Sequence, residues 1–460
     1  MRRLLLRSPQ HTLHPKLPRL LPLPFRRGEG WGEGLLGVVY PAVLAVLAVL
    51  LACFAVQPCS AREPKESDKD LIYDEARVPA YDLPPLLVSS EGKSITTPDE
   101  WFHLRRPQIM SLFGNLLYGT VPAPESPLKV TSVVVQTDNQ FMNGLATRKD
   151  VRIRFNNAKG KAEMLILVFV PNNASNPLPA FLMLSFDSTH GSGFNADRSR
   201  PGLLRNGVPI KEFFKRGFGF VAVYQQDLVG HNEVEFLSSI HHLFYREGQS
   251  FPKAYEWGVI SAIAWSASRA LDYLATDHDI DSARVAILGH SKCGKAALWA
   301  AAQDQRFALA ISAESGHPGA ALSRRKSGET LDKMVTRFPY WLCRNAWKFA
   351  NHEDDLPVDQ HMLLACIAPR PLYVMSGVDD RWADPRGEYL SAYHASAVYR
   401  LLGKKGLETE ASPPVGEAII KSDVGYHVRE GGHSIQMFDW LRFLEFGEYH
   451  LRGETTDRHR

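Results

Sequence analysis

Apolar runs alternate with amphipathic stretches through the second half of the chain, and this alternation is typical of an α/β fold. Buried strands are predicted at 218–224, 284–288, 307–313 and 371–376, and helices at 256–276, 294–304, 386–402 and 434–450. Strands that alternate with helices favour a parallel, doubly wound sheet that is covered on both faces.

The hydrophobic pattern of the residues before 217 differs from that of the second half of the chain. The sequence predicts a helix over Trp101 to Tyr118 and strands at 128–136, 149–155, 163–170 and 179–186. The first three of these strands are expected to pair antiparallel, as hairpins do. The predicted fold class is therefore α/β, a three-layer αβα sandwich with a mainly parallel central sheet and antiparallel N-terminal strands.

The first 61 residues have the composition of an export signal. They carry seven Lys or Arg residues against two Glu, then the uncharged apolar run 35–56, and then Cys59-Ser60-Ala61 as a small-residue cleavage site. The apolar run is also long enough to span a bilayer as a retained anchor, and lipidation at Cys53 is a third interpretation. All three place the body outside the cytoplasm, in the periplasm, at the cell envelope or outside the cell.

The remaining chain is divided by composition. We predict an exposed leader at 62–95, which is Pro-rich with mixed charge, a single catalytic domain at 96–452 and a polar tail at 453–460. We expect a monomer that contacts a membrane only if the N-terminal apolar segment is retained or lipidated.

Charge and cysteine content exclude several classes of protein. The net charge of +3 includes an excess of +5 in residues 1–61, so the rest of the chain is near −2 and shows no basic excess for binding nucleic acid. Only Cys293, Cys343 and Cys366 follow the leader, too few for a disulfide scaffold. The sequence has no Cys-x-x-Cys pair and no His-Glu-x-x-His motif, so no metal site and no cofactor is predicted.

The segment Gly289-His-Ser-Lys-Cys-Gly-Lys295 follows a predicted strand and opens a predicted helix. A strand, a sharp turn at a serine and a helix together form the nucleophile elbow of α/β-hydrolases. The usual second glycine stands two residues after the serine, whereas here that place is Cys293 and the glycine is Gly294. Ser291 is therefore the candidate nucleophile, in a variant of the motif.

A serine nucleophile needs a histidine base, and in this fold the chain order is serine, acid, histidine. His433 lies in the loop Glu430-Gly-Gly-His-Ser434 before the last helix and is the candidate base. His290, beside the nucleophile, is expected to pack in the core. Glu314 is the first candidate for the acid. Asp379 and Asp380, which end the next strand, are equally placed alternatives.

Two lysines, Lys292 and Lys295, lie in the first turn of the predicted helix, and each is either a solvated surface charge or a functional group. The backbone N–H of Lys292 is the expected oxyanion donor, and its ammonium group would add positive charge near the oxyanion. Lys295 is either a solvated surface charge or a group that points into the same cleft. Positive side chains at a helix N-terminus are unfavourable, which favours a functional role.

Several further blocks accompany the elbow in a fixed order. They are Ile311–Gly316, Phe338–Trp341, Leu356–His361, Ala368–Tyr373, Trp382–Pro385 and Gly431–His433. With these blocks, residues 95–450 resemble bacterial glucuronoyl esterases, secreted serine hydrolases that act on lignin–carbohydrate esters.

The resemblance implies roles for particular residues. It implies Ser291 as nucleophile, His433 as base and an acid at Glu314, or in some members at the later strand end near Asp379 and Asp380. It further implies a glucuronate pocket lined by Lys295, Glu329, Arg337 and Trp382. Lys292 departs from the arginine that usually follows the serine, keeping the charge but losing the planar fork.

The leading hypothesis is hydrolysis of esters of 4-O-methyl-glucuronate on glucuronoxylan through an acyl-enzyme on Ser291. The partner would then be a glucuronate-bearing polysaccharide or lignin–carbohydrate ester. Two alternatives stay open: an acetyl xylan esterase or related carbohydrate esterase with the same triad, and a non-catalytic carbohydrate-binding relative.

Overall fold

The computed structural model of the protein describes residues 71–175, 177–186, 193–230 and 233–452. The predicted export signal, the apolar run 35–56 and the polar tail 453–460 lie outside the described residues. None of the helices within the described ranges is both long enough and apolar enough to cross a bilayer.

A mixed sheet of ten strands forms the middle layer of the described chain, in the order β1-β2-β3-β5-β4-β6-β7-β8-β10-β9. The strands are β1 (Lys129–Gln140), β2 (Ala146–Asn157), β3 (Gly160–Pro171), β4 (Leu178–Ser185), β5 (Gly219–Tyr224), β6 (Ile280–His290), β7 (Leu309–Ala313), β8 (Leu372–Gly377), β9 (Ala418–Ile419) and β10 (Val424–Arg429). β4 to β8 and β10 form the parallel part, whereas β1 to β3 pair antiparallel and β3 joins β5 antiparallel. The predicted sheet is thereby confirmed.

Side chains of the central strands are buried on both faces of the sheet. In β6, Val285 and Ile287 belong to one hydrophobic core, and Ala286 and Leu288 belong to the other. Because successive side chains of a strand point to opposite faces, a strand covered on both sides is a continuous apolar run. This is why the sequence shows strand 284–288 without alternation.

Helices cover both faces of the sheet. The longer ones are α1 (Arg106–Phe113), α2 (Ile210–Lys215), α3 (Val259–Leu274), α4 (Lys292–Gln303), α5 (Leu331–Arg337), α6 (Gln360–Ala365), α7 (Pro385–Leu401) and α8 (Met437–Gly447). Shorter helical turns lie at Glu75–Arg77, Pro98–Glu100, Trp101–Arg105, Gly114–Tyr118, Phe141–Gly144, Gln226–Val229, Glu233–Leu237, Ile240–Phe244, Ser323–Arg325, Arg344–Phe349, Glu353–Asp355, Arg381–Ala383 and Glu448–Arg452. Apolar residues of α1 and α3 to α7 pack in one core, and those of α2 and α8 pack in the other. The predicted three-layer sandwich is confirmed.

The segment 71–95 differs from the exposed leader that composition predicts. Leu71, Leu86 and Ile95 are buried. Arg105 donates from Nε to the carbonyl of Leu86 at 3.0 Å, and Arg325, itself buried, binds the Glu75 carboxylate at 2.6 Å. The segment therefore packs on the catalytic body, because a few apolar side chains anchor it within an otherwise polar, Pro-rich stretch.

Candidate active site

Ser291 occupies the sharp turn between β6 and α4. Its backbone has φ +58° and ψ −127°, a region that costs a non-glycine residue about 1–3 kcal/mol and that the surrounding structure must enforce. The Ser291 N–H donates to the carbonyl of Ala313 at 2.9 Å, which ties the turn to the end of β7. The predicted nucleophile elbow is present.

Close backbone approach explains both glycines of the elbow. A Cβ atom on Gly289 would lie 2.0 Å from the carbonyl oxygen of Cys293, and one on Gly294 would lie 2.9 Å from the Cβ of Ser315. Cys293 itself is a buried free thiol. The Cys293 side chain packs in the core, so this position accepts a side chain. The next residue must be glycine, because there α4 passes close to Ser315 in the loop after β7.

His433 approaches the elbow from the loop after β10. Its Nδ1 lies 2.7 Å from Oδ2 of Asp380 and 4.0 Å from Oε2 of Glu314. Asp380 is buried, whereas Asp379 is exposed and its N–H donates to the carbonyl of Gly431. Of the three acid candidates, Asp380 is the hydrogen-bond partner of His433, and the first-ranked Glu314 is not.

Glu314 instead pairs with His290. Its Oε2 lies 2.9 Å from His290 Nε2, and the rings of His290 and His433 lie 4.5 Å apart between centroids. His290 is therefore part of the site and not the core residue that its place before the serine predicts. His290 is the last residue of β6 and pairs with Ala313 at the end of β7, which places its side chain next to Glu314.

Burial shifts the pKa of both members of this pair. It raises the pKa of the Glu314 carboxyl to about 9, with a further increase from the charge of Asp380. It lowers the pKa of His290 to about 3, and the neighbouring His433 adds to that decrease. At neutral pH the pair is therefore uncharged, with a carboxylic acid hydrogen-bonded to a neutral imidazole.

Arg429, the last residue of β10, organises the His433 loop. Its Nη2 donates to the carbonyls of Gly432 (3.1 Å) and Ser434, on either side of His433, and to Oε1 of Glu314 at 3.2 Å. Its Nε donates to the buried Asp439 at 2.8 Å. One guanidinium therefore fixes both the backbone that carries the base and the carboxyl between the two imidazoles.

A chain of buried polar groups holds Asp439 in turn. His427 lies 2.8 Å from Asp439 through Nε2, and 2.8 Å from the Tyr373 hydroxyl through Nδ1. Both His427 and Asp439 are fully buried. Sequence reasoning missed Arg429 and Asp439. The available signal was a charged residue, Arg429, at the end of a buried strand and four residues before the candidate base His433.

Lys292 is buried beside the nucleophile in an aromatic setting. Its Nζ lies 4.9 Å from the ring centroid of Trp341 and 5.2 Å from that of Phe186. No carboxylate pairs with it among the described residues, and burial lowers its pKa. Its N–H is the first of α4, and the N–H groups of a first helical turn have no acceptor within the helix. The N–H that the sequence predicts as oxyanion donor therefore lies at the start of this helix.

Lys295 and Glu329 form a buried ion pair of 2.7 Å. The Lys295 ammonium also donates to the carbonyls of Ser315 and His317. An ammonium has three protons, and these three acceptors account for all of them. In this structure Lys295 therefore orients Glu329 and does not contact a ligand directly, which differs from the role that the resemblance implies.

Trp382 and Arg337 complete what we call the polar wall, defined as Lys295, Glu329, Arg337 and Trp382. The Arg337 guanidinium lies 4.7 Å from the Trp382 ring centroid. Glu329 accepts a side-chain hydrogen bond from Trp382 and donates its backbone N–H to the Trp382 carbonyl at 2.8 Å. The structure thus brings together all four residues that the resemblance places in one pocket.

Glu388 of α7 joins the loops that carry the acids. It is fully buried. It accepts from the hydroxyl of Ser376 at 2.6 Å, from the N–H of Gly316 at 3.0 Å and from the hydroxyl of Ser315 at 3.3 Å. Burial raises its pKa to about 8, although these donors act in the opposite direction. The sequence pattern does not indicate this role, because a Glu in a helix that bonds three buried donors looks the same in sequence as one exposed to solvent.

The arrangement has the parts that acyl transfer requires. Ser291 stands on a strained turn, His433 and Asp380 form a base and its orienting carboxylate, and the start of α4 supplies an N–H donor. The polar wall is continuous with these parts, because Lys295 follows Ser291 on α4 and Trp382 follows Asp380 on one loop. Such a site can cleave an ester whose acyl group carries hydroxyls.

Comparison with known proteins agrees with this chemistry. The family description "Glucuronyl esterase, fungi" matches residues 218–403. A carbohydrate esterase, MZ0003, from an unknown prokaryotic organism is 37% identical over 434 residues, which is 89% of this chain and 98% of the relative. A 4-O-methyl-glucuronoyl methylesterase of Phanerochaete carnosa is 25% identical over 376 residues, 78% of this chain and 82% of that protein.

Solved structures show the same likeness in three dimensions. A glucuronoyl esterase from Solibacter usitatus superposes with a TM-score of 0.75 at 38% identity, over 81% of this chain and 99% of that one. A CE15 esterase from a marine bacterial metagenome, described as promiscuous, gives a TM-score of 0.72 at 37% identity, over 83% of this chain and all of that one. The chain therefore belongs to the glucuronoyl esterase family, carbohydrate esterase family 15, whose members are carboxylic ester hydrolases with the α/β-hydrolase fold.

Proposed function

We propose that the protein hydrolyses esters between the carboxyl group of glucuronate, or 4-O-methyl-glucuronate, and an alcohol, such as lignin–carbohydrate esters on glucuronoxylan. The observation that carries this proposal is the junction of the Ser291 elbow and the His433–Asp380 pair with the polar wall. Names of relatives in the family, including 4-O-methyl-glucuronoyl methylesterase, support the same substrate class.

The first half of the reaction forms an acyl-enzyme. His433 Nε2 accepts the Ser291 proton while Oγ attacks the ester carbonyl, and Asp380 holds the Nδ1 proton and stabilises the imidazolium. The N–H of Lys292 donates to the oxyanion, and the Lys292 ammonium adds positive charge nearby. The imidazolium then protonates the leaving alcohol. In the second half His433 activates a water, which releases the uronic acid and restores Ser291.

The polar wall gives the reaction its specificity for the acyl group. Glu329 accepts hydrogen bonds from sugar hydroxyls, Arg337 donates to them, and Trp382 packs on a pyranose face. Lys295 keeps the Glu329 carboxylate in place, because the two are paired at 2.7 Å. An acetyl group has no hydroxyls, so it would not form the hydrogen bonds with Glu329 and Arg337 that a glucuronate acyl group can form, and its affinity would be lower.

The test compares substrates and separates chemistry from recognition. Benzyl or methyl glucuronate, acetylated xylan and p-nitrophenyl acetate are assayed side by side with the wild-type protein and with Trp382→Ala and Glu329→Gln. We expect the glucuronate esters to be preferred. We expect both substitutions to lower kcat/KM for them by about 10- to 100-fold, in line with the loss of one or two hydrogen-bonded contacts, and to leave p-nitrophenyl acetate hydrolysis within about twofold.

Two experimental outcomes would contradict this proposal and indicate a different function. Faster turnover of acetylated xylan than of glucuronate esters would indicate an acetyl xylan esterase. If the wild-type protein binds the sugar without hydrolysing the ester, and Ser291→Ala binds it equally well, the protein is a carbohydrate-binding protein. If it is an enzyme, Ser291→Ala loses hydrolysis and keeps binding.

We also propose that the protein acts as a monomer after export, on polysaccharide outside the cytoplasm. The basic leader, the apolar run 35–56 and the small residues at 59–61 support export. Fractionation of expressing cells, with mass spectrometry of the mature N-terminus, distinguishes cleavage near residue 61 from lipidation at Cys53 and from a retained anchor.

A further inference from the structure

Two imidazoles and one carboxyl oxygen converge beside the nucleophile. Glu314 Oε2 lies 2.9 Å from His290 Nε2 and 4.0 Å from His433 Nδ1, and the three atoms all lie within 4.8 Å of one another. The acyl-transfer mechanism needs His433 but assigns no step to His290 or to Glu314. These two groups are therefore available for a second role.

Two histidine nitrogens and a carboxylate oxygen are a common ligand set for zinc, which takes a water or another ligand in the fourth position. With metal–ligand bonds of about 2.0–2.2 Å, tetrahedral ligand atoms lie roughly 3.4 Å apart. The separation of 2.9 Å between Glu314 and His290 is shorter than that value, and the separation of 4.0 Å between Glu314 and His433 is longer. His433 follows two glycines and its side chain is 40% exposed, so rotation of this side chain brings the longer separation into range.

Hydrogen bonding also favours a cation here. Within the described part of the chain, the Arg429 guanidinium pairs with the carboxyl groups of Glu314 and Asp439, whereas Asp380 pairs with His433. Arg429 binds Oε1 of Glu314 and leaves Oε2 directed at the two histidines. A partner that orients a ligating carboxylate in this way is typical of metal sites.

We propose that His290, Glu314 and His433 form a binding site for Zn²⁺, and that its occupancy inhibits the esterase. Zinc on Oε2 of Glu314 releases the carboxyl proton to solvent, because a ligating carboxylate must be deprotonated. Zinc on Nδ1 of His433 replaces the proton that Asp380 accepts, and this proton moves to Nε2. The ring stays neutral, but Nε2 then carries a proton and has no lone pair for the Ser291 hydroxyl. Inhibition rests on the proposed role of His433 as base, whereas binding rests on the geometry alone.

Calorimetric titration of zinc chloride into the Ser291→Ala variant measures binding without turnover, since this variant keeps all three ligands. We expect one zinc per chain. Adding His290→Asn should weaken binding by about tenfold or more, the loss typical of a disturbed metal site. His352→Asn is the matched control, because His352 is exposed and pairs only weakly with Asp355 at 3.8 Å. Absence of binding, or equal affinities in the His290 and His352 variants, overturns the site.

Kinetics with p-nitrophenyl acetate then test inhibition, so that the result does not depend on the identity of the natural ester. Zinc should lower kcat with KM unchanged, excess EDTA should restore kcat, and His290→Asn should raise the inhibitory concentration by the same factor as it weakens binding. If His290→Asn does not fold, Glu314→Gln replaces it in both experiments. A rise in KM with unchanged kcat would place the metal in the substrate cleft and contradict the proposal.

Discussion

At the scale of single residues, the site contains two acids and two histidines, and geometry pairs them. Asp380 lies 2.7 Å from His433, and Glu314 lies 2.9 Å from His290. An orienting acid must be ionised to stabilise the imidazolium, and burial holds the pKa of Glu314 at about 9. The distance to His433 therefore favours Asp380 as the triad acid, and the raised pKa of Glu314 argues against Glu314.

This assignment predicts unequal effects of two isosteric substitutions. Asp380→Asn should lower kcat by about 10³-fold or more, because it removes the carboxylate that holds the correct tautomer of His433. Glu314→Gln should cost about tenfold or less, since a neutral amide resembles the protonated carboxyl that burial already favours. Steady-state kcat with one substrate measures both.

The exposed neighbour Asp379 provides the control, and Asp379→Asn should leave kcat within about twofold. If Glu314→Gln lost as much activity as Asp380→Asn, the two carboxyls would act as one unit and the single assignment would be wrong.

Lys292 supports a second prediction at this scale. Lys292→Met keeps the stem against Trp341 and Phe186 but removes the charge beside the oxyanion. We expect kcat to fall by about 10- to 100-fold, somewhat less than the loss of a direct oxyanion donor, with KM nearly unchanged. Lys292→Arg should recover most of the activity. Unchanged kcat in Lys292→Met would mean that the ammonium only packs on the two rings.

The sequence identified Ser291 and His433 because each stands in a local pattern, an elbow and a glycine-rich loop. The sequence does not decide which of Glu314, Asp379 and Asp380 is the acid, because all three follow parallel strands. Spacing along the chain does not show which carboxyl reaches an imidazole. The prediction that His290 packs in the core rests on its place before the serine, and that place does not show that the Glu314 carboxyl lies within reach of its imidazole.

At the scale of elements, the strands and helices were predictable because each has a one- or two-faced apolar pattern. The segment 71–95 was not, since its anchors are single residues such as Leu86 and Ile95 separated by prolines. The sequence also does not show how His433 is held by β10, the loop after it and α8. The reason is that Arg429 and Asp439 come into contact only in the folded protein.

This connection predicts the effect of Arg429 on catalysis. Arg429→Met should lower kcat by about 100-fold with little change in KM, because the carbonyls on both sides of His433 lose their donor while the polar wall is untouched. Arg429→Lys should recover only part of the activity, since one ammonium cannot reproduce a planar fork.

Arg269, which pairs with Asp272 on the outer side of α3, is a suitable control, and Arg269→Met should leave kcat unchanged. A rise in KM with normal kcat in Arg429→Met would contradict a role in positioning the base, and would indicate that the loop contacts the substrate.

At the scale of the whole molecule, Glu388 links catalytic loops to global stability. Its carboxyl joins α7 to the ends of β7 and β8, so its ionisation acts on three elements at once. Burial and the charge of Asp380 raise its pKa to about 8 from the ordinary 4.5. Between these two values the folded state keeps a proton that the unfolded state releases.

The sign of the pH dependence follows from this difference in bound protons. Stability from the protonated Glu388 is fully present below about pH 4.5 and is lost as the pH rises through about 8. Glu388→Gln keeps the shape of the group and has no proton to lose. The melting temperature of the variant, minus that of the wild type, should therefore rise by about 2–4 °C from pH 5 to pH 9.

Differential scanning calorimetry at several pH values measures this difference, and Glu314 does not disturb it because that residue is present in both proteins. Glu445→Gln, on the exposed side of α8 in a pair with Arg442, should give a difference that is nearly independent of pH. A constant difference for Glu388→Gln as well would mean that Glu388 is ionised in the folded protein, held by its three hydrogen-bond donors. In that case the substitution should destabilise the protein by a similar amount at every pH from 5 to 9, because the donors to Glu388 would lose a charged acceptor.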